Sequence, residues 1–254
     1  MTSSNSASLA AAQVTDHPAL PFGGDERFTG YGVIGLGFTS GDYLTLRVMT
    51  RTSIGTPYVA VWHRDPADAW TIRTTAPFEA SCPRYFGGAS HNERVPRIDV
   101  RWTGDDELAV AIPGVLEWHL ELEATASTRL MTAVAGVMPD VAWRSDAVLG
   151  SMGPMVRPVL RAGRLRMVGS TPNGQHFQAA PRLLWHVRDS QAVLRGRDFG
   201  SPAPLHPQTR LGDFWMPQQG LFFVGDARFE ALDPARHVVV RSPRISQDAP
   251  ASAQ

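Results

Sequence analysis

The stretch YLTLRVM (residues 43–49) carries the pattern on which the fold prediction depends. Every second residue from Leu44 to Val48 is apolar, and Thr45 and Arg47 lie between them. Side chains of an extended strand point alternately to its two faces, so this spacing predicts a β-strand with one buried face. We expect Thr45 and Arg47 to lie on the other, solvent-facing side.

The same period of two recurs along the first half of the chain, in AWTIRTT (residues 69–75), RIDVRW (residues 97–102) and LEWHLELE (residues 116–123). Turn-forming clusters such as RDPADA and TGDDE separate these runs at the spacing of hairpins. Alternation of this kind is typical of antiparallel sheets, whereas buried parallel strands form near-continuous apolar runs.

The apolar period changes at about residues 127–160. Leu130, Met131, Val134, Val137 and Met138 follow the spacing of an amphipathic helix. We expect a second helix to begin after Asp140 and to cover Trp143 to Leu149, and we expect Pro154 and Pro158 to break or bound the helical run.

Strand patterns return over residues 164–241, in RLRMVGSTPNGQHFQAA, RLLWHVR, LFFVGDARFE and RHVVV. The first of these predicts a hairpin that turns at residues 172–174. Between the strands, residues 200–220 form a long proline-rich loop that we expect to be ordered, because it carries Phe214, Trp215 and Met216.

These patterns predict a mainly β fold, in which antiparallel strands form a barrel-like arrangement of the calycin or lipocalin-like type. The helical insertion falls at about residues 127–160. We expect residues 23–243 to form a single β-rich domain. The flanking segments, residues 1–22 and 244–254, are rich in small and polar residues, and we expect them to be flexible tails.

The composition narrows the possible functions. The formal net charge is zero, so the basic excess of a nucleic-acid-binding domain is absent, and no segment is apolar enough to span a membrane. All 24 basic residues are arginine, which excludes a lysine Schiff base and a P-loop. A single cysteine excludes an internal disulfide, and with no signal-peptide pattern it is consistent with a cytoplasmic protein.

No metal or organic cofactor is predicted. Three Trp-His pairs, at residues 62–63, 118–119 and 185–186, could supply three histidines. Strand alternation does not bring them to a common face, so we expect histidines at the surface or rim of the domain rather than a metal site. Gly35 and Gly37 resemble part of a dinucleotide fingerprint, but a strand pattern follows them where that motif needs a helix.

Two short stretches supply the candidate ligand contacts. In ASCPRYFGG (residues 80–88), Cys82 is bracketed by prolines, and we expect it to be a packing residue rather than a nucleophile, with no helix to activate it. Arg84 could hold an acidic group and Tyr85 could offer a ring with a polar tip.

The second stretch is GDFWMPQQG (residues 212–220), where Phe214 and Trp215 could line a cavity together with Trp62. Asp213 is a weak candidate for a catalytic acid, because apolar surroundings raise the pKa of a carboxyl group. An equally simple interpretation makes Asp213 a turn-forming residue after Gly212.

Three long stretches, at residues 58–88, 115–131 and 216–230, resemble an uncharacterised family of bacterial, actinobacterial-type proteins with no assigned activity. The tryptophan-bearing strands, such as LEWHLEL, are also similar to those of lipocalin-like proteins of the hydroxyneurosporene-hydratase and tocopherol-cyclase kind. That resemblance implies binding of, or action on, a long isoprenoid-like molecule without an organic cofactor. No catalytic motif of those proteins is matched.

Three functions remain open at this point. The first is a barrel whose cavity binds a hydrophobic or amphipathic small molecule of lipid or isoprenoid type. The second is a cofactor-independent lyase, hydratase or isomerase that uses Asp213 or a histidine as general acid–base. The third is a structural role in which apolar surface is buried in a homo-oligomer.

Overall fold

The computed structural model describes residues 6–243 and consists mainly of β-strands with four α-helices. The helices are α1 (Ala7–Asp16), α2 (Pro83–Phe86), α3 (Ala126–Val137) and α4 (Asp146–Leu160). The strands are β1 (Glu26–Gly37), β2 (Tyr43–Thr52), β3 (Tyr58–Arg64), β4 (Trp70–Thr74), β5 (His91–Arg94), β6 (Asp99–Trp102), β7 (Glu107–Ile112), β8 (Leu116–Glu123), β9 (Val168–Ser170), β10 (His176–Leu194), β11 (Arg197–Asp198), β12 (Arg210–Leu211), β13 (Phe214–Trp215) and β14 (Leu221–Phe229).

One large sheet organises the molecule, with its main path in the order β5-β4-β3-β2-β1-β14-β10-β8-β7-β6. Neighbouring strands on this path are antiparallel except β4 and β5, which are parallel. β9 and β11 pair with β10, and β12 pairs with β13 in a separate hairpin. The predicted mainly β, barrel-like fold is therefore confirmed, and α3 and α4 form the predicted helical insertion.

The sheet curls around a first core. This core contains Leu44 and Leu46 from β2, Val61 from β3, Trp118 from β8 and Phe222 from β14, all almost fully buried. Strands from distant parts of the sheet contact the same apolar cluster, so the sheet must bend into a half-barrel around it.

A second core covers the opposite face of β1 to β4. It contains Tyr43, Tyr58, Ala60, Trp62 and Ile72, which alternate along the strands with the residues of the first core. Thr45 and Arg47 on this face are also buried. The expectation that Thr45 and Arg47 face solvent is therefore wrong, because helix α2 and long loops cover the second face.

The first residues of the described chain are helical rather than flexible. Helix α1 buries Ala7, Ala10 and Ala11 in the first core, where small side chains at helical spacing allow close packing. The Ala7 backbone N–H donates to Asp106 Oδ1 at 2.8 Å and fixes the helix start. The expectation of a flexible segment over residues 1–22 thus does not hold for residues 7–16. The expected flexible tail at residues 244–254 lies outside the described residues.

The helical insertion differs from the prediction in detail. Trp143 lies in a short 3-10 turn, and Ser145 rather than Asp140 caps α4, accepting a hydrogen bond from the Val148 N–H. Helix α4 continues through Pro154 and Pro158, although each lacks the N–H of a regular helical hydrogen bond.

Helix α3 buries only part of the expected face, with Met131 and Met138 partly buried against the core. Thr128 and Ala135 are buried, and the backbone N–H of Leu184 in β10 donates to Thr132 Oγ1 at 3.1 Å. Leu130 and Val137 are exposed instead.

Two strand predictions also need correction. The stretch RHVVV (residues 236–240) is irregular rather than a strand. The second strand of the predicted hairpin and the predicted strand RLLWHVR are parts of one 19-residue strand, β10.

Gly32 lets β1 approach β2 directly opposite Arg47. A Cβ atom on Gly32 would lie 2.1 Å from the carbonyl oxygen of Leu46, which no side chain tolerates without a backbone shift. We expect Gly32→Ala to lower the free energy of unfolding by about 1–3 kcal/mol, as overpacking does elsewhere. Urea denaturation measures this loss.

The matched control is Gly24→Ala, because a Cβ atom on Gly24 meets no atom within 4 Å. Equal stability of the two alanine variants would contradict the close approach of β1 to β2.

Candidate functional site

A cavity of about 130 Å³ lies on the second-core face of the sheet, on the side opposite to the first core. Strands β1, β2, β3, β10 and β14 form its base, and residues 165–167 and 214–217 cover it. A cavity inside the half-barrel was expected. The first core fills that space, and the long loops enclose the space on the other face instead.

Four of the predicted contact residues lie on the cavity wall: Trp62, Tyr85, Phe214 and Trp215. The aromatic side chains hold one another in place. The ring of Trp62 lies 4.6 Å from that of Phe86, and Tyr85 stacks on Phe229 at 3.9 Å. The loop that carries Phe214 and Trp215 is ordered and packed, as expected. That these residues contact a ligand stays a prediction.

Arg84 lies beside the wall but is bound to another part of the protein. Its Nη2 and Nε donate to the two oxygens of Glu26, at 2.5 and 2.9 Å. The Tyr85 hydroxyl and Gln175 Nε2 also donate to Glu26, at 2.6 and 3.2 Å. Arg84 therefore fixes strand β1 to helix α2, rather than presenting a free guanidinium to the cavity.

Hydrogen bonds determine the ionisation of Glu26. Burial alone would raise the pKa of this carboxyl, but hydrogen bonds from Arg84, Tyr85, the Leu232 backbone and Gln175 outweigh it and hold the pKa below its ordinary value. Burial, followed by the negative charge of Glu26, raises the pKa of the Tyr85 phenol, which stays a hydrogen-bond donor. Glu26, Arg84, Tyr85 and Gln175 therefore form a hydrogen-bonded cluster around one carboxylate, here called the Glu26 anchor.

Asp213 does not lie in apolar surroundings. Its side chain is 41% exposed and lies 3.0 Å from Arg166 Nη1, and it accepts a hydrogen bond from the Ser170 N–H. The hypothesis that Asp213 is a catalytic acid therefore has no support from its geometry. Asp213 and Arg166 form an ion pair at the rim, since Arg166 also lines the cavity.

The polar end of the cavity contains Arg47, Tyr58 and Cys82, all of which are buried and line the wall. The Tyr58 hydroxyl lies 3.4 Å from Cys82 Sγ. Burial raises the pKa of both groups, and the pKa of the Tyr58 hydroxyl lies well above its ordinary value. Both therefore remain protonated near neutral pH.

Cys82 is a buried packing residue, as expected, but the absence of a following helix was wrong. Helix α2 begins directly after Cys82, with Pro83 at its first position. Burial outweighs the opposing effects of Tyr58 and Arg47 on the thiol pKa, so the environment does not activate Cys82.

The histidines do not assemble into a metal site. Over residues 6–243, no group of three or more His, Cys, Asp or Glu side chains is placed to hold a metal ion. His63 is buried rather than at the surface, with Nε2 2.7 Å from Asp42, while His119 is exposed. Within this same range, no helix combines the length and the apolar character needed to cross a membrane.

Arg47 is the site residue that the sequence pattern misassigned. Its alternation with Leu46 and Val48 indicated a solvated face. A signal was nevertheless present, because Tyr43 and Met49 share the face of Arg47 and predict that this face is covered as well.

Comparison with known proteins gives little further information. No protein-family model matches the chain, and no curated protein matches it. Among solved structures, acetoacetate decarboxylase from Legionella pneumophila is similar at 10% identity, over 90% of this chain and 95% of that chain, with a TM-score of 0.37. A similarity at this level carries no argument about residues or chemistry, and the resemblance to lipocalin-like proteins stays a prediction.

The Glu26 anchor predicts a pH-dependent stability. The folded pKa lies below the ordinary value of 4.5, so the carboxylate stabilises the fold above pH 4.5, and this contribution is lost as pH falls through the folded pKa. We expect Glu26→Gln to lower the free energy of unfolding by about 1–3 kcal/mol at neutral pH, and by less at about pH 3.

Urea denaturation at the two pH values measures both effects. Glu117→Gln, at an exposed position of β8, is the control and should change stability little at either pH. A deficit of Glu26→Gln that stays constant or grows on acidification would contradict the assignment.

Burial of Cys82 predicts slow thiol chemistry. We expect Ellman's reagent to modify the native protein slowly and the denatured protein rapidly. In the native protein the rate should continue to rise above pH 9, the ordinary pKa of the thiol, because burial raises that value. Rapid native labelling that levels off near neutral pH would show an activated thiolate instead.

Proposed function

We propose that the protein binds a small apolar molecule in the cavity on the second-core face. The observation that carries the proposal is the covered space of about 130 Å³ whose wall is largely aromatic and aliphatic. Natural ligand sites have this character, with a mostly apolar lining and a few polar groups that orient the ligand.

The volume sets the size of the bound group. A buried apolar cavity of roughly 150 Å³ holds one benzene molecule. A space of about 130 Å³ therefore suits a single ring or a short branched chain. The volume limits the lipid or isoprenoid ligand expected from the sequence to a compact molecule. A longer molecule would place only its compact end in the cavity and would extend outside it.

Binding is favoured over catalysis by the chemistry of the wall. Tyr58 and Cys82 both stay protonated because burial raises their pKa values, so they serve as hydrogen-bond donors rather than bases. Asp213 is engaged by Arg166 at the rim. The proposal therefore stands as a binding function, with the cofactor-independent lyase as the alternative that a turnover assay would reveal.

A cavity-filling variant tests the proposal. Ala179 lies on the wall, and a phenyl ring at this position would occupy much of the space. We expect wild-type protein to bind toluene with a measurable heat in isothermal titration calorimetry, and Ala179→Phe to weaken this binding by about 10-fold or more. The reason is that the added ring competes with toluene for one apolar volume.

Ala67→Phe places the same side chain on an exposed turn and should bind toluene as wild type does. Absence of toluene binding to wild-type protein, or equal binding by both phenylalanine variants, would contradict the proposal.

A further inference from the structure

Arg47 projects from the middle of β2 into an aromatic surround. Its guanidinium carbon lies 4.9 Å from the ring centre of Phe223, 5.5 Å from that of Trp62 and 5.6 Å from that of Phe214. All three rings line the cavity, and Arg47 lines it with them. Only 7% of Arg47 is accessible. Its charge therefore lies at the cavity wall and not in bulk water.

Arg47 differs from the other buried arginines in its partners. Arg73 is paired with Glu93 at 2.7 Å, and Arg228 with Asp25 at 3.1 Å. Within residues 6–243, no carboxylate forms an ion pair with Arg47 and no acceptor forms a hydrogen bond with its side chain. The contacts with the ring faces stabilise its charge but leave its N–H donors unused. A buried cation is unfavourable unless it is paired and hydrogen-bonded, so an anion bound at this position would be stabilised by Arg47.

The neighbouring side chains do not supply that anion. Tyr43, Tyr58 and Cys82 lie close enough to affect the Arg47 charge, but each is negative only when deprotonated. Burial raises the pKa of all three, so they remain neutral. Burial also lowers the pKa of Arg47, but a guanidinium keeps its proton in proteins.

We infer that Arg47 binds the carboxylate of a small apolar carboxylic acid whose ring or short chain fills the cavity. This inference rests on the proposed function and specifies its ligand class. A guanidinium presents a planar fork of donors that matches the two oxygens of a carboxylate. The hydroxyl of Tyr58, which lines the same wall, is a further donor.

Charge balance favours a carboxylate over a phosphate. The charge of Arg47 neutralises a single negative charge, while the other charged lining residues are already paired, Arg166 with Asp213 and Asp226 with Arg182. A doubly charged phosphate would leave an uncompensated charge among aromatic rings, which is strongly unfavourable.

Arginine side chains near the cavity rim supply positive charge, which attracts an anionic ligand. The guanidinium carbons of Arg164 and Arg210 lie 5.1 and 5.5 Å from the ring centre of Trp215, which lines the cavity. Arg166 is paired with Asp213, so Arg164 and Arg210 are the arginines that add positive charge beside Trp215. Positive charge around a cleft raises the local concentration of anions.

Titration calorimetry with two probes of similar size, benzoate and toluene, tests the inference. We expect wild-type protein to bind both. Arg47→Met keeps the length and apolar character of the side chain but removes its charge, and should weaken benzoate binding about 10- to 100-fold while changing toluene binding less than about 3-fold. Arg97→Met, at a well-exposed position, is the matched control and should bind both probes as wild type does.

The outcomes separate the two proposals. Benzoate binding that is equal in wild type and Arg47→Met, or a wild type that binds toluene but not benzoate, overturns the carboxylate assignment and leaves the apolar cavity intact. A wild type that binds neither probe overturns the proposed function and the inference together. Retained toluene binding in Arg47→Met shows that the variant is folded with its cavity formed.

Discussion

Burial of both faces of one curled sheet is the constraint on which this structure depends. Strand β2 shows it most clearly, since Leu44 and Leu46 pack in the first core and Tyr43 packs in the second. The first face is filled by the sheet curling around itself. The second face is covered by α2, by the short β12–β13 hairpin and by residues 165–167. These small elements do not fill the space above the large sheet completely, and the cavity lies beneath them.

The same constraint explains the unusual electrostatics of the cavity. Both faces of β2 are buried from Tyr43 to Arg47, so a charged side chain in this part of the strand does not reach water. Arg47 therefore lies among Trp62, Phe214 and Phe223, which interact with its charge through their ring faces. Elsewhere the fold pairs buried charge internally, as in the Glu26 cluster and where Arg197 and His63 both bond Asp42. The proposed carboxylate site rests on this guanidinium, which has no ion-pair partner within residues 6–243.

The sequence predicted the elements better than it predicted their surroundings. Alternation placed the strands around residues 43–49 and 116–123, and helical spacing placed the insertion at 127–160, because these patterns depend on local geometry. Aromatic content drew attention to Trp62, Phe214 and Trp215, which line the cavity, and their contact with a ligand stays a prediction. Alternation cannot show, however, what covers a strand's second face, so Arg47 was assigned to solvent. Arg84 could not be placed either, since its partner Glu26 is 58 residues away in the chain.

The central claim is that a buried cation and an apolar cavity form one site. A crystal structure of the protein soaked with 4-bromobenzoate tests it most directly, because the anomalous signal of bromine locates the ligand and its orientation. We expect a carboxylate within hydrogen-bonding distance of the Arg47 guanidinium, with the bromine directed away from it between the aromatic side chains. A cavity occupied by protein side chains, or a ligand bound with its carboxylate away from Arg47, would show that the cation and the cavity do not form one site.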